Sequence, residues 1–338
     1  MKYKSLGRTG ARVSQIALGT ANFGTRWGHG ADAAESGAIF NAYVDAGGNF
    51  IDTADVYQFG ESEEIVGDLL RGRREDLLLA TKFTSGATPS PNRLVTGNSR
   101  KAMIASVEAS LKRLKTDRID LYWVHQPDPM VPSEEIVRGL DDLARAGKIL
   151  YAGLSNFPAW RLTRAATIAE LTHAIPIAAA QFEYSLVHRD PEKDLVPVSQ
   201  ALNLAAVTWS PLGGGVLTGK YRKGESGRAQ AFGGKVFQAE DSDLRTATLD
   251  AVLGIADELH VSPDQVAIAW VVSRGTLPIL GPRSLAQLAS NLGAAALTLS
   301  PDHIARLTAA SEPNSGPATA PAVSLDDSAT EPLLLPVA

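Results

Sequence analysis

Eight apolar runs of strand length recur along this chain, and segments of helical periodicity separate them. The runs are Val13–Leu18, Asn49–Asp52, Leu77–Thr81, Ile119–Val124, Ile149–Leu154, Ala178–Phe182, Ala205–Trp209 and Pro278–Gly281. Between them, Met103, Val107, Leu111 and Leu114 share one helix face, as do Ile136, Leu140 and Leu143, and then Leu285, Leu288 and Leu292. Continuously apolar strands that alternate with helices predict a parallel sheet buried on both faces. Eight such units favour closure into a single (β/α)₈ TIM barrel. An open doubly wound sheet would carry a glycine-rich fingerprint after its first strand, whereas G-T-A-N-F-G follows Leu18 with the wrong spacing.

The punctuation agrees with this pattern. Lys2–Val13, turning at G-R-T-G, reads as an N-terminal β-hairpin ahead of the first barrel strand. Ser262-Pro263-Asp264-Gln265 reads as a capping box with proline at the first helical position, and Gly147 closes a helix. Two long connections, Thr84–Ser99 and Gly213–Ser242, leave the carboxyl ends of strands, where barrel enzymes carry substrate loops. The barrel is expected over residues 1–311, with a Pro/Ala/Ser-rich tail over 312–338.

Composition removes several function classes. A net charge of −5, with no Lys/Arg block, gives no electrostatic footprint for nucleic acid. The absence of cysteine excludes disulfides, iron–sulfur clusters and thiolate chemistry. The six histidines show no H-E-x-x-H or comparable ligand spacing, so no metal site is expected. No apolar signal core opens the sequence and no apolar stretch is long enough to span a bilayer; the expectation is a cytoplasmic protein.

Four side chains then stand out at strand ends. Asp52 ends the second strand, Tyr57 lies five residues into its loop, Lys82 follows the third strand, and His125 ends the fourth. In a barrel they face one opening. A hydride added to a carbonyl carbon leaves an alkoxide that needs a proton, and an ammonium beside a phenol makes that phenol a better acid. In that scheme Asp52 holds Lys82 charged and His125 donates to the carbonyl oxygen. Each has a structural alternative: a turn residue for Asp52, a rim aromatic for Tyr57, a snorkelling lysine for Lys82, a satisfied buried histidine for His125. Their joint placement is what favours chemistry.

Later segments suit a phosphate. G-G-V-L-T-G-K-Y from Gly214 keeps P-loop spacing until Tyr221 replaces the required hydroxyl, and it follows a seventh strand rather than a first. It still places glycines and Lys220 where a diphosphate can lie. In G-P-R-S-L-A-Q-L, Ser284 reads as a helix cap and Arg283 as a guanidinium at a helix N-terminus.

Taken together, F-I-D-T-A-D-V-Y, A-S-L-K-R-L-K-T-D-R-I-D-L-Y-W-V-H, G-L-S-N-F, Q-F-E-Y-S and W-S-P-L-G-G-G-V-L-T-G-K-Y resemble the aldo-keto reductase superfamily over almost the whole chain. The likeness is to its bacterial-type members near the potassium-channel β subunits. The resemblance implies a barrel that takes NADP(H) without a Rossmann domain and reduces an aldehyde or ketone, reversibly to alcohol oxidation. It implies Tyr57 as general acid, Lys82 and Asp52 as its tuning pair, and His125 as orienter of the carbonyl. For the cofactor it implies Gly19, Thr20 and Asp52, with Ser155, Asn156 and Gln181 at the nicotinamide. Trp209, Ser210, Pro211, Leu212, Gly214 and Lys220 are expected along the ribose and diphosphate. Gly281, Arg283, Gln287 and Asn291 are expected at the adenosine half, with Arg283 favouring the 2′-phosphate. Ser290 stands where many relatives carry Glu. Phe23 and Trp27, with Tyr57 and His125, are expected to line the substrate pocket, joined by Phe83 and Phe232. Two other readings stay open: an NADP(H)-binding regulatory subunit with little turnover, and a barrel isomerase or lyase that uses Arg283 as a phosphate clamp.

Overall fold

The structure, a computed structural model, describes residues 1–224 and 238–312. The strands are β1 (Tyr3–Ser5), β2 (Arg12–Ser14), β3 (Ala17–Gly19), β4 (Phe50–Asp52), β5 (Leu78–Phe83), β6 (Ile119–Val124), β7 (Ile149–Ser155), β8 (Ile177–Glu183), β9 (Ala205–Trp209) and β10 (Leu277–Leu280). The helices are α1 (Ala33–Asp45), α2 (Glu61–Leu69), α3 (Arg100–Leu114), α4 (Ser133–Arg145), α5 (Ala159–Leu171), α6 (Leu195–Ala201), α7 (Asp243–Leu259), α8 (Pro263–Ser273), α9 (Leu285–Leu292) and α10 (Pro301–Ala310). Strands β3 to β10 pair in parallel and in chain order, and β10 returns to β3 to close the barrel. This is the (β/α)₈ TIM barrel that the alternating pattern predicts, with the antiparallel β1–β2 hairpin in front of it.

The expected first strand is split. The run Val13–Leu18 gives β2, paired with β1, and then β3, which enters the barrel after two residues. Lys82 also moves: it lies within β5 and not after it. The expected capping box at Ser262 is not formed. Pro263 does occupy the first turn, but the Ser262 hydroxyl pairs with Ser290 and Gln265 Nε2 donates to the Ser290 carbonyl. Ser284 does cap α9, through Gln287 N–H.

Side-chain alternation along each strand decides what fills the barrel. Phe50, Leu78, Ala80, Leu121, Trp123, Ala179, Ala205, Val207, Leu277 and Ile279 form the inner cluster. The strand neighbours of these residues, such as Ile51, Leu79, Tyr122 and Val124, belong to the larger outer cluster under the helices. Space inside is tight enough to specify a glycine. A Cβ on Gly153 would lie 2.4 Å from the Trp123 ring, so β7 must lack a side chain where that indole packs.

The hairpin stops the lower end. Leu6 and Val13 are fully buried in the inner cluster. Gly7, at φ 56°, presses so closely on the start of β8 and β9 that a Cβ would lie 2.4 Å from the Ala178 carbonyl oxygen. The barrel therefore opens at its carboxyl-terminal mouth.

Candidate active site

The same alternation that points Phe50, Ala80, Trp123 and Ala179 inward carries the next inward position on each strand to the mouth. Those positions are Asp52, Lys82, His125 and Gln181. An apolar interior thus ends in a polar ring.

Lys82 is fully buried, and its ammonium bonds to Asp52 Oδ2. The same Nζ donates to the Thr53 carbonyl oxygen at 3.1 Å and to Tyr57 Oη at 3.1 Å. Burial works against the charged amine, yet the Asp52 carboxylate, followed by Tyr57, outweighs it and holds Lys82 above the ordinary lysine value. Asp52 receives two further donors on its other oxygen, Trp123 Nε1 at 3.0 Å and Gln181 Nε2 at 3.1 Å. Both carboxylate oxygens are thus satisfied by protein donors.

Tyr57 is half-buried, and its ring stands 5.9 Å from that of His125 at 83° and 6.2 Å from that of Trp27 at 82°. Burial, with the Lys82 charge behind it, drives His125 well below the usual imidazole range, so the ring is neutral. Its Nδ1 is buried and has no hydrogen-bond partner. The His125 backbone is held at both ends, by N–H to the Phe83 carbonyl at 2.9 Å and by Asn156 Nδ2 to its own carbonyl at 3.0 Å.

Beside this quartet lie the segments expected to take the cofactor. Asn156, at φ 61°, accepts from Trp209 Nε1 at 3.0 Å and donates to Ser155 Oγ at 3.1 Å, so its amide ties the ends of β6, β7 and β9 together. After β9 the backbone turns left-handed at Ser210 and again at Gly213, Gly214 and Gly215. Lys220 folds back over this turn, close enough that a Cβ on Gly215 would lie 2.9 Å from its ammonium. After β10, Gly281 and Gln287 are exposed and Arg283 is half-buried, while Asn22 Nδ2 donates to the Gly281 carbonyl at 2.8 Å. An indole, an ammonium across a glycine turn, and a guanidinium with an amide form a donor set that fits a dinucleotide. The N-terminus of α9 is already occupied: Leu285 N–H donates to Glu35 Oε1 at 2.7 Å.

Several expected residues stand elsewhere. Phe23 does not line a pocket; it is fully buried in the outer core. Phe83 likewise faces the helices, stacked on Tyr122 at 5.1 Å, because it neighbours the inward Lys82 on the strand. Thr20 is fully buried, its hydroxyl paired with Ser62 at 2.8 Å, and so it braces the loop from inside. Gly19, Pro211 and Ser155 are buried too. Asn291 is taken by Asp264, to which its Nδ2 donates at 2.6 Å; Ser290 donates to the same carboxylate. Phe232 and the segment 313–338 lie outside the described residues.

Sequence reasoning missed a buried acid below the loop. Asp55, three residues after Asp52, is fully enclosed, and its Oδ1 has no partner. Burial, with the nearby Glu63 charge and against the pull of Arg113, lifts it to about 7. The buried Tyr122 hydroxyl, also without a partner, is pushed up by burial and by Asp55 and Glu63. Among the described residues no group of three or more His, Asp or Glu is placed to hold a metal ion, and no helix is long and apolar enough to cross a membrane.

The sequence pattern of the Aldo/keto reductase family matches residues 15–312. The chain belongs to that family. It is an oxidoreductase of the class that acts on carbonyl and alcohol groups. Among its relatives, the Bacillus subtilis oxidoreductase YrpG is 36% identical over 311 residues, covering 88% of this chain and 92% of its own. A probable voltage-gated potassium channel subunit beta of Oryza sativa is 37% identical over 305 residues, covering 87% and 91%. The aryl-alcohol dehydrogenase [NADP(+)] of Phanerodontia chrysosporium is 34% identical over 319 residues, covering 87% and 82%.

Proposed function

We propose that this protein reduces aldehydes or ketones with NADP(H), and runs the reverse alcohol oxidation, at the mouth formed by Asp52, Tyr57, Lys82 and His125. The observation that carries the reading is the Lys82 ammonium bonded at once to Asp52 Oδ2 and to Tyr57 Oη. When bound, the nicotinamide supplies the hydride. Trp209, Ser210, Leu212, Gly214, Lys220, Arg283 and Gln287 would hold the dinucleotide, and Asn156 and Gln181 would flank its nicotinamide end. Tyr57 Oη donates its proton to the carbonyl oxygen as negative charge develops there. The buried Lys82 charge, fixed by Asp52, steadies the phenolate that remains. Neutral His125 binds the same oxygen, which orients the carbonyl without bringing a second positive charge beside Lys82.

Trp27 and His125, each perpendicular to Tyr57, give the mouth aromatic walls that suit an aryl substrate. The Phanerodontia chrysosporium relative is named for aryl alcohols and NADP(+), which supports the same substrate class here.

The test is steady-state oxidation of NADPH by purified protein over a panel of aryl and aliphatic aldehydes, followed at the nicotinamide absorbance. Turnover with at least one aryl aldehyde is expected. The similarity to the rice channel subunit favours a second reading, a nucleotide-binding regulatory subunit with little turnover. Tight NADPH binding with negligible rates across the whole panel would establish that reading instead.

A further inference from the structure

Immediately after Tyr57 the backbone does something unusual. Gln58 (φ 52°, ψ 34°) and Phe59 (φ 52°, ψ 45°) are consecutive left-handed residues with side chains, and Gly60 follows at φ 89°. Successive non-glycine residues in this region are unfavourable and persist only where the surroundings hold them. The holding group is the Gln58 amide, which is fully buried. Its Oε1 accepts from Trp27 N–H at 2.7 Å, and its Nε2 donates to the His29 carbonyl at 3.0 Å and the Ala21 carbonyl at 3.4 Å. All three partners are backbone groups of the loop between β3 and α1.

That loop is closed at its neck by Gly24 N–H to the Ala31 carbonyl and Ala31 N–H to the Asn22 carbonyl, each at 2.7 Å. Beyond the neck, the loop is bonded to the Tyr57 segment and to α2. Glu61 Oε2 accepts from Thr25 and Arg26 N–H at 2.7 and 2.9 Å, on the exposed side, while Gln58 works from inside. The outcome is an indole held edge-on, 6.2 Å from the rings of both Tyr57 and Phe59.

We propose that Gln58 is the positioning residue for the substrate wall: by pinning residues 21–29 to the Tyr57 segment it sets Trp27 against the reacting phenol and confers preference for planar aryl carbonyl compounds over short aliphatic ones. This rests on the carbonyl-reducing role of Tyr57. Gln58 acts through Trp27 and touches no reacting atom. A glutamine is suited to the task because one amide supplies the acceptor for one backbone N–H and donors for two carbonyls.

The test compares wild type with Gln58→Met, which keeps length and removes the bonds, and with Trp27→Ala and the double variant. Benzaldehyde and propanal are the substrates, and tryptic cleavage after Arg26, read by mass spectrometry, reports the loop directly. Gln58→Met is expected to raise KM for benzaldehyde about tenfold more than KM for propanal, any loss of kcat being shared by the two substrates and NADPH affinity staying near wild type. It should also accelerate cleavage after Arg26, whose side chain is 47% exposed. In the Trp27→Ala background Gln58→Met should cost little more, because both changes act on one wall. An unchanged benzaldehyde-to-propanal ratio together with unchanged cleavage overturns the proposal. If Gln58→Met fails to fold, the Trp27→Ala variant decides: an unaltered ratio there removes the selectivity. Wild-type protein that reduces neither aldehyde overturns the carbonyl-reductase reading and the selectivity with it, while the cleavage rate still reports the clamp.

Discussion

Trp123 Nε1 donates to Oδ1 of Asp52 at 3.0 Å from within the barrel, on the oxygen opposite the one that meets Lys82. The carboxylate is therefore clamped from two sides, and the ammonium it holds has one remaining direction in which to act, toward Tyr57. The geometry of the proposed site and the packing of the barrel are joined at this atom pair: the indole that fills the interior, against Gly153, also aims the acid that orients the lysine.

Tyr57→Phe removes the proposed proton donor alone. The rate of aldehyde reduction should fall by about 10²-fold or more, while NADPH affinity, measured by fluorescence titration, stays within a few-fold of wild type. A variant that kept most of its rate would remove Tyr57 from the role of acid.

Lys82→Met tests the buried pair. It leaves Asp52 enclosed without its cation, a change that costs about 3–5 kcal/mol in comparable buried pairs. A clear loss of thermal stability is expected together with loss of activity. Adding Asp52→Leu should recover much of the stability and none of the activity. A Lys82→Met protein as stable as wild type would contradict the ionised pair.

Asp55 gives stability a pH dependence with a defined sign. Its folded pKa of about 7 lies above the unfolded carboxylate value, so the folded state binds the proton more tightly. The contribution is present in acid and is lost as pH rises toward and through 7. Asp55→Asn, which mimics the protonated acid, should therefore raise the melting temperature at pH 8 and by much less at pH 5, the difference corresponding to a few kcal/mol at most. Equal shifts at both values would show that Asp55 is not the group responsible. His125 carries the opposite sign: held neutral by burial, it costs stability as pH falls below the ordinary imidazole value.

Arg283→Ala should weaken NADPH much more than NADH if the guanidinium meets the 2′-phosphate. Glu35 adds a second arm, because its carboxylate sits on the Leu285 N–H at the start of the same helix. Glu35→Gln should tighten NADPH relative to NADH by lowering the negative charge beside that phosphate. Equal effects on both nucleotides in the two variants would move the 2′-phosphate away from this helix.

The barrel was legible because its strands are buried on both faces, which writes them as apolar runs. The limits of that signal are equally physical. Val13–Leu18 is one run in composition but two strands in space, because apolarity does not record which partner a strand takes. Phe23 and Phe83 look like pocket residues because an aromatic beside a loop reads alike whether it faces the mouth or the helices. Strand alternation resolves Phe83, since its neighbour Lys82 points inward. The Asp52, Tyr57, Lys82 and His125 set was readable from position alone. Gln58 was not, since one glutamine in a loop belongs to no period; its only written trace is a polar residue between Tyr57 and Phe59 ahead of Gly60.

The hairpin that presses Leu6, Gly7 and Val13 into the base of the barrel has a kinetic corollary. With that end stoppered, two reactants bound at the mouth would share one doorway, and whichever sat deeper would have to arrive first and depart last. Turnover at such a site would proceed in a compulsory order, the deeper occupant leaving last.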